Sequence, residues 1–352
     1  LRHLFIFRVS RRLKGLIVIP VIAFSPYILT AQSTDEAGSD RGVYQAAAKK
    51  VNDLVHTKLE ARFDYDKSYL LGKAWLTLKP HFYNTDSLIL DAKGMEVKAV
   101  GIVTKTVTKP LKYIYDGKQI RIKLDKTYKS TDQYKVYIDY VAKPNDLEGG
   151  GSEAIRDDKG LYFINPKGEE KDKPTQVWTQ GETESTSVWL PTIDKPNQKS
   201  TQEFFLVVPS KYVTLSNGLL LQQQKNADGT RTDYWKMDLP HAPYLFFIGI
   251  GDYAVVKDTY KGKEVSYYVD KDYASVARKI FGHTPEMIAF YSKITGVDFP
   301  WPKYSQMTGH DYVSGAMENT TATLHSDAAQ QDARELTDGN HWETTIAHEL
   351  FH

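Results

Sequence analysis

The chain has 352 residues, of which 41% are hydrophobic and 25% are charged, the composition of a folded globular protein. Its 45 lysines and arginines nearly balance its 44 aspartates and glutamates, which excludes the strongly basic overall charge typical of nucleic-acid-binding proteins. The absence of cysteine excludes disulfides, thiolate metal ligands and a cysteine nucleophile. At this length we expect two or more domains.

The first 31 residues have the pattern of an export signal. Basic residues precede an apolar run at residues 16–29, and Thr30-Ala31 offers a small-residue cleavage site. The run is short for a membrane span and contains Pro20 and Pro26. We therefore expect a signal peptide at residues 1–31 and an exported protein, periplasmic or secreted, that contacts a membrane only if this segment stays uncleaved. Residues 32–47 are small and polar, which predicts a linker.

Residues 48–252 show the pattern of successive β-strands. Apolar runs at 76–78 and 88–90 are bounded by turn residues, residues 134–141 alternate between apolar and polar, and residues 204–208 have the composition of a buried strand. Asp116-Gly117 separates two alternating segments within residues 113–124, which is typical of a hairpin. This spacing predicts an amino-terminal β domain, a β-sandwich or a saddle-like sheet.

From residue 253 the pattern becomes helical. Thr284 resembles a helix cap that is followed by Pro285 at the first helical position. A further helix is predicted to begin near Asn340, with Glu343 completing a capping box. We predict a second domain over residues 253–352 that is not finished at residue 352. Four apolar residues are spaced to lie on one face of its first helix: Val276, Ala277, Ile280 and Phe281.

The last five residues have the form H-E-x-x-H. On a helix, His348 and His352 project from one face a turn apart, which is the separation that two ligands of a tetrahedral zinc ion require. Glu349 stands beside the first histidine and could take a proton from zinc-bound water. Taken alone, the motif is also compatible with a surface helix that carries two unrelated histidines.

Residues 315–319 have the sequence GAMEN. GAMEN followed by H-E-x-x-H resembles the M1 zinc aminopeptidases, which are gluzincins related to leukotriene A4 hydrolase. The resemblance extends from about residue 50 to the end, because WTQGE at 178–182, LSNG at 215–218 and YLFFIGIGDY at 244–253 are similar to further markers of that family. Residues 189–194 lack the cysteine common in the family there, which affects no catalytic residue.

The resemblance implies a fold and a zinc site. The fold is multidomain, with a β-sandwich or saddle-like sheet domain followed by the start of a thermolysin-like, α-rich catalytic domain. One Zn²⁺ per active site is expected, held by His348, His352 and a glutamate that follows residue 352, with Glu349 as the catalytic base. The oxyanion-stabilising tyrosine of the family would also follow residue 352. We therefore expect residues 1–352 to be a carboxy-terminally truncated fragment that is inactive by itself.

The resemblance also implies how a substrate is bound. Glu182 and Glu318 are the expected anionic clamp on the substrate's α-ammonium group, and Gln180 would add a polar contact. Backbone groups of GAMEN are expected to pair with an extended substrate, and its glycine allows a close approach. The remaining GAMEN residues assigned to substrate binding are Gly315, Ala316, Met317 and Asn319.

Three other histidines lie near these motifs, at His310, His325 and His341. Each is a conceivable metal ligand by residue type. Lone histidines are more often structural or exposed, and we predict that role for all three.

The leading hypothesis is a zinc-dependent aminopeptidase that removes amino-terminal residues from peptides with a free amino terminus, by attack of zinc-bound water. One alternative is an epoxide hydrolase of the leukotriene A4 hydrolase type, which would use the same zinc site. Another is a non-catalytic family member whose β domain is a binding scaffold. A scaffold has no need of intact HELFH and GAMEN, which argues against it. No nucleic-acid partner is predicted.

Overall fold

The computed structural model describes residues 49–105, 107–148 and 150–352. The expected signal peptide and linker, residues 1–47, lie outside these residues. Within the described ranges no helix combines the length and the apolar character that crossing a bilayer requires. Residues 50–352 form one structural unit.

Between residues 49 and 252 the described part of the chain is built mainly from β-strands, as its alternating patterns predict. Fifteen of them are assigned in this part of the chain. Their bounds are β1 (Asn52–Asp64), β2 (Tyr69–Pro80), β3 (Thr85–Asp91), β4 (Glu96–Thr104), β5 (Val107–Pro110), β6 (Lys112–Tyr115), β7 (Gln119–Tyr128), β8 (Tyr134–Ala142), β9 (Leu161–Ile164), β10 (Gln176–Thr179), β11 (Ser200–Pro209), β12 (Val213–Ser216), β13 (Leu219–Lys225), β14 (Thr230–His241) and β15 (Ile248–Gly251).

These strands form three sheets around a common core. The largest has eight strands in the order β13-β14-β11-β1-β2-β8-β4-β5, in which β1 and β11 run parallel. A three-stranded sheet has the order β3-β7-β6 and a four-stranded sheet the order β12-β15-β10-β9. Leu59 of the largest sheet, Ile122 of the second and Trp178 of the third belong to one cluster of buried side chains. The predicted β domain is thereby confirmed.

Two of the predicted strand features can be compared directly with the structure. The hairpin around Asp116-Gly117 is confirmed: β6 and β7 pair antiparallel, and the Asp116 carboxylate accepts the backbone N–H groups of Lys118 and Gln119 at 2.9 and 2.7 Å. The strand predicted at 204–208 is present, but only alternate residues of it are buried. These residues lie in β11, where buried and half-buried positions alternate because one face of the sheet is partly open to solvent.

Residues beyond 253 contain a five-stranded sheet that the sequence analysis did not anticipate. Its order is β16-β17-β18-β20-β19, with parallel pairing of β18 to both β17 and β20. Strand β19 lies at the edge of this sheet and pairs antiparallel with β20. The strands are β16 (Ala254–Tyr260), β17 (Lys263–Val269), β18 (Lys303–Gly309), β19 (Ala316–Met317) and β20 (Ala322–Ser326).

Helices cover this second sheet. Its own cluster of buried side chains includes Tyr267 of β17, Phe281 and Ile346. The second helix begins at Thr284, one residue earlier than predicted, and its cap position is His283. The Thr284 hydroxyl donates to the carbonyl of Phe281 at 2.6 Å and does not cap the helix. The helices are α1 (Ala277–Phe281), α2 (Thr284–Thr295) and α3 (Glu343–Phe351).

The predicted capping box of α3 is wrong. The helix begins at Glu343, after Trp342, and no side chain caps it. Asn340 accepts the Trp342 N–H at 3.0 Å and donates to the carbonyl of Ile280 at 2.6 Å, while Glu343 contacts His283 at 2.5 Å. Both predicted capping residues therefore fasten α3 to the neighbouring helices.

Candidate active site

Helix α3 is held firmly on the side opposite its histidines. Ile346 is 1% exposed, and the hydroxyl of Tyr291 on α2 donates to the carbonyl of Ala347 at 3.0 Å. His348 and His352, by contrast, are exposed. The helix thus presents both imidazoles on a face that other parts of the described chain do not cover.

The two imidazoles are placed to share one metal ion. Nε2 of His348 lies 3.2 Å from Nε2 of His352. Two nitrogens bound tetrahedrally, each about 2.0–2.1 Å from zinc, would be separated by roughly 3.4 Å. The pair therefore fits two corners of a tetrahedral zinc site. Within the described ranges, no third histidine or carboxylate completes a metal-binding cluster with them, and the third ligand stays a prediction.

Glu349 follows His348 on α3 and is buried in the protein. Its side chain is 8% exposed, and its pKa is raised to about 7. Burial is the main cause, and the negative charges of Glu318 and Glu182 add to it. A carboxyl group with a pKa near neutrality can both accept and donate a proton under ordinary conditions.

A cavity of about 290 Å³ lies against this carboxyl group. Glu318 and Glu349 both line it, together with His352 and Tyr244. The Tyr244 hydroxyl donates to Oε1 of Glu318 at 3.5 Å, and burial and the nearby carboxylates raise the pKa of Tyr244, so it stays a donor. Tyr244 had been noted only as part of a sequence marker; its contact with Glu318 was not predicted.

The GAMEN residues form the edge of the second sheet. Ala316 and Met317 constitute β19, and the carbonyl of Gly315 accepts the N–H of Ser326 at 2.8 Å. A Cβ added to Gly315 would meet no atom within 4 Å, so the space beside this glycine is open. Asn319 is 1% exposed, and its side-chain amide has no hydrogen-bond partner among the described residues.

Glu182 reaches the same region from the β domain. It follows β10 in a turn whose glycine, Gly181, passes close to the chain at Tyr244: a Cβ on Gly181 would lie 2.3 Å from the Tyr244 carbonyl oxygen. The Thr186 hydroxyl fastens the turn by donating to the carbonyl of Pro243 at 2.9 Å. Burial raises the pKa of Glu182, and the negative charge of Glu318 adds to the shift.

Gln180 lies deeper than the two clamp glutamates. Its side chain is 1% exposed. Its Oε1 accepts the hydroxyl of Tyr312 at 2.5 Å, and its Nε2 donates to the sulfur of Met317 at 3.0 Å. The structure therefore places Gln180 next to Met317, and it reveals a further residue, Tyr312, that the sequence analysis missed.

The three other histidines lie outside this constellation. His310 is held between Asp270 and Asp327, at 2.6 and 3.1 Å, and these hydrogen bonds raise its pKa to about 9. His325 is fully buried, with both ring nitrogens in hydrogen bonds of 3.0 and 3.1 Å. His341 is exposed. The prediction of structural or exposed positions is confirmed.

Comparison with known proteins agrees with this arrangement. The profile of the Peptidase M1 N-terminal domain matches residues 53–245, and that of the Peptidase family M1 domain matches residues 280–352. A mutant of an M1 zinc metallopeptidase from Deinococcus radiodurans has the same fold, with a TM-score of 0.69 at 16% identity over 88% of this chain and 65% of that one.

Three curated relatives cover different lengths of the chain. Endoplasmic reticulum aminopeptidase 1 of Rattus norvegicus is 25% identical over 55% of this chain and 21% of its own length. Tricorn protease-interacting factor F2 of Thermoplasma acidophilum is 24% identical over 84% of this chain and 34% of its own length. Leukotriene A-4 hydrolase of Xenopus laevis is 22% identical over 87% of this chain and 48% of its own length. The chain thus spans less than half the length of each, and it belongs to peptidase family M1.

Proposed function

We propose that this protein is a zinc-dependent aminopeptidase that removes amino-terminal residues from peptides. The observation that carries the proposal is the convergence of Glu318, Glu349 and His352 at one cavity, together with the 3.2 Å separation between Nε2 of His352 and Nε2 of His348. Zinc site, proton carrier and ammonium clamp are the three parts that hydrolysis from a free amino end requires.

The proton would be carried by Glu349. Zinc bound by His348 and His352 would polarise the peptide carbonyl and make water easier to deprotonate. Glu349 takes the proton from the attacking water and gives it to the departing amine, and its pKa of about 7 suits both transfers. The burial of Glu349 keeps bulk water away from the shuttled proton.

Glu182 and Glu318 would recognise the free amino end. Two carboxylates that lie close together make each other's ionisation less favourable through charge repulsion. A positive ammonium ion between them offsets that repulsion. The pKa of Glu182, which is raised mainly by burial and further by the charge of Glu318, supports this role. Tyr244 would hold Glu318 in place through its hydroxyl.

The peptide backbone would extend the second sheet. Strand β19 is at the edge of that sheet, so an extended peptide can pair with it as a further strand. The open space beside Gly315 leaves room for the peptide to approach. If the peptide pairs antiparallel to β19, its amino end lies toward Glu318, the residue that follows the strand.

A chromogenic assay tests the proposal. The full-length protein, loaded with zinc, should release the coloured amine from an aminoacyl p-nitroanilide and lose this activity when a chelator removes the metal. The N-acetylated form of the same compound lacks the positive charge and should be a poor substrate. Equal cleavage of both forms, or full activity without metal, would contradict the aminopeptidase proposal.

We also propose that the protein is exported, on the basis of the basic and apolar pattern in its first 31 residues. Fractionation of the producing cells tests this proposal. The mature protein should be found outside the cytoplasm with its amino end at Gln32, as determined by amino-terminal sequencing. A cytoplasmic protein that retains residues 1–31 would contradict it.

A further inference from the structure

A buried asparagine in the turn between β12 and β13 joins two distant segments of the chain. The side chain of Asn217 is fully buried. Its Nδ2 donates to the carbonyl of Leu245 at 2.8 Å and to the carbonyl of Thr320 at 2.7 Å, and its Oδ1 accepts the N–H of Phe247 at 2.7 Å. Only the NH₂ end of an amide can donate, so the two carbonyls fix the orientation of this side chain.

The two segments that this amide joins form part of the wall of the candidate active-site cavity. Leu245 and Thr320 both line the cavity, as do Glu318 and Glu349. The side chains of the two segments also meet, because the hydroxyl of Tyr244 donates to Oε1 of Glu318 at 3.5 Å. The amide therefore fastens at the backbone the same two segments whose side chains come together at the candidate ammonium clamp.

Further contacts hold the segment that follows Glu318. The N–H of Gly218 donates to Oγ1 of Thr321 at 2.8 Å, and Nζ of buried Lys303 donates to the carbonyl of Thr321 at 2.7 Å. Thr321 has a φ of 67°, in the left-handed region that is costly for a β-branched residue. Such a conformation persists only where the surroundings enforce it. The turn of the β domain thus contributes to a single backbone course after Glu318.

We propose that Asn217 is a positioning residue for substrate recognition: its amide joins the segments that carry Tyr244 and Glu318, and so fixes the Glu318 carboxylate for the substrate's ammonium group. This inference rests on the proposed aminopeptidase function. Without the amide, the carbonyls of Leu245 and Thr320 lose their common donor in the protein interior. The two segments are then free to shift relative to each other, and the carboxylate no longer has a fixed place at the cavity.

A second buried asparagine makes the same set of bonds elsewhere in the β domain. Nδ2 of Asn165 donates to the carbonyls of Glu170 and Lys173 at 2.8 and 2.6 Å, and its Oδ1 accepts the N–H of Glu170 at 3.1 Å. None of these three residues is among the described residues that line the cavity. Asn165→Ala is therefore a matched control, which removes a buried amide with the same three bonds.

The test is Asn217→Ala in the full-length enzyme loaded with zinc. Two probes are compared: L-leucinol, an amine that cannot be cleaved, by titration calorimetry, and acetohydroxamate, a metal ligand without an ammonium group, by inhibition of leucine p-nitroanilide hydrolysis. We expect the Kd of leucinol to rise about tenfold, the effect of one net hydrogen bond, while the inhibition constant of acetohydroxamate stays within about twofold of wild type. In Asn165→Ala both constants should stay within about twofold.

A double-mutant cycle connects the effect to the clamp. In a Glu318→Ala background, Asn217→Ala should have no further effect on the affinity for leucinol, because the carboxylate that it positions is already gone. Additive effects of the two substitutions would overturn the inference. So would an equal weakening of leucinol and acetohydroxamate, which is the result of a general loosening of the site, or an Asn217→Ala enzyme that binds leucinol like wild type.

Thr321→Ala provides a second test if Asn217→Ala does not fold. It removes only the oxygen that accepts the Gly218 N–H, and the affinity for leucinol should fall about threefold with acetohydroxamate unchanged. Unchanged affinity for leucinol in this variant would also overturn the inference. A wild-type enzyme that neither cleaves leucine p-nitroanilide nor binds leucinol would instead refute the aminopeptidase proposal itself.

Discussion

Glu318 and Glu349 line the same cavity, and the charge of Glu318 contributes to the raised pKa of Glu349. The proposal uses the two carboxyl groups differently: Glu318 binds a positive charge, and Glu349 carries a proton. A bound ammonium ion would offset the negative charge of Glu318 and would therefore change the electrostatic surroundings of the proton carrier. Substitutions at the two positions should consequently have different kinetic signatures.

In the full-length protein, Glu349→Gln should abolish most turnover while the metal stays bound. The amide keeps the shape of the side chain but cannot accept the proton, so we expect kcat to fall by about 10²- to 10⁴-fold, the contribution of a general base. The histidine pair is untouched, and zinc content by metal analysis should equal that of wild type. A variant that has lost its zinc would show that Glu349 is a ligand and not the base.

Glu318→Ala should weaken the use of substrates with a free amine. We expect a loss of roughly 2–4 kcal/mol in transition-state binding, measured as kcat/KM, because an ammonium group loses a buried partner. Glu318→Gln is the matched control for charge alone and should lose most of the same activity. If kcat/KM is unchanged in both variants, Glu318 has no part in recognising the amine.

Gly315→Ala and Gly181→Ala should behave in opposite ways. The Cβ at Gly315 enters open space, so thermal stability should be unchanged while KM for a peptide rises by about tenfold or more, because the methyl group occupies the peptide's path. The Cβ at Gly181 would lie 2.3 Å from the Tyr244 carbonyl oxygen, and stability should fall by about 1–3 kcal/mol. Thermal unfolding and steady-state kinetics on both variants check this pair; a destabilised Gly315→Ala would contradict it.

His310 should stabilise the fold in acid and neutral solution more than in alkaline solution. Its bonds to Asp270 and Asp327 raise its pKa from 6.5 to about 9 in the folded protein. The stabilisation is therefore complete below pH 6.5 and is lost as pH rises through about 9. We expect the free energy of unfolding, measured with urea, to lose roughly 1–2 kcal/mol over this range through this residue.

The measurement requires a difference between two proteins, because buried Lys303 acts in the opposite direction. Burial lowers the pKa of Lys303 to about 7, so the unfolded chain binds more protons above that pH and the contribution of Lys303 to stability rises. The unfolding free energy of His310→Gln, measured against pH, is subtracted from that of wild type. The contribution of Lys303 cancels because both proteins contain it. If the difference in unfolding free energy between the two proteins does not shrink between pH 6.5 and 9, the role given to His310 is contradicted.

The β domain could be predicted from local patterns, and the second sheet could not. The hairpin at Asp116-Gly117 is predictable because the two turn residues themselves indicate it. Strand β18, by contrast, has the polar sequence KYSQMTG and is buried at every position. Its polar groups are satisfied by partners distant in sequence: Ser305 bonds to Ser266 at 2.8 Å, and Gln306 to Thr284 at 2.8 Å. Hydrophobic periodicity cannot reveal a strand of this kind.

The motifs identified the candidate site, whereas its supporting contacts required the structure. HELFH and GAMEN carry the histidine pair and Glu318 within short stretches. Tyr312 and Gln180 are 132 positions apart, and Tyr244 and Glu318 are 74 positions apart. Folding alone brings such pairs together, so no spacing in the sequence marks them. The third zinc ligand and the inactivity expected for residues 1–352 remain predictions.

Strand β19 contains only two residues, Ala316 and Met317, and the carboxylate of Glu318 follows at once. If a peptide pairs with this strand, it can advance only until its amino end meets that charge. A strand rises about 3.3 Å per residue, so the distance from Glu318 to the histidine pair corresponds to a set number of residues of an extended peptide. The separation between Glu318 and the histidine pair would then set how many residues are removed at each cut, whatever their side chains.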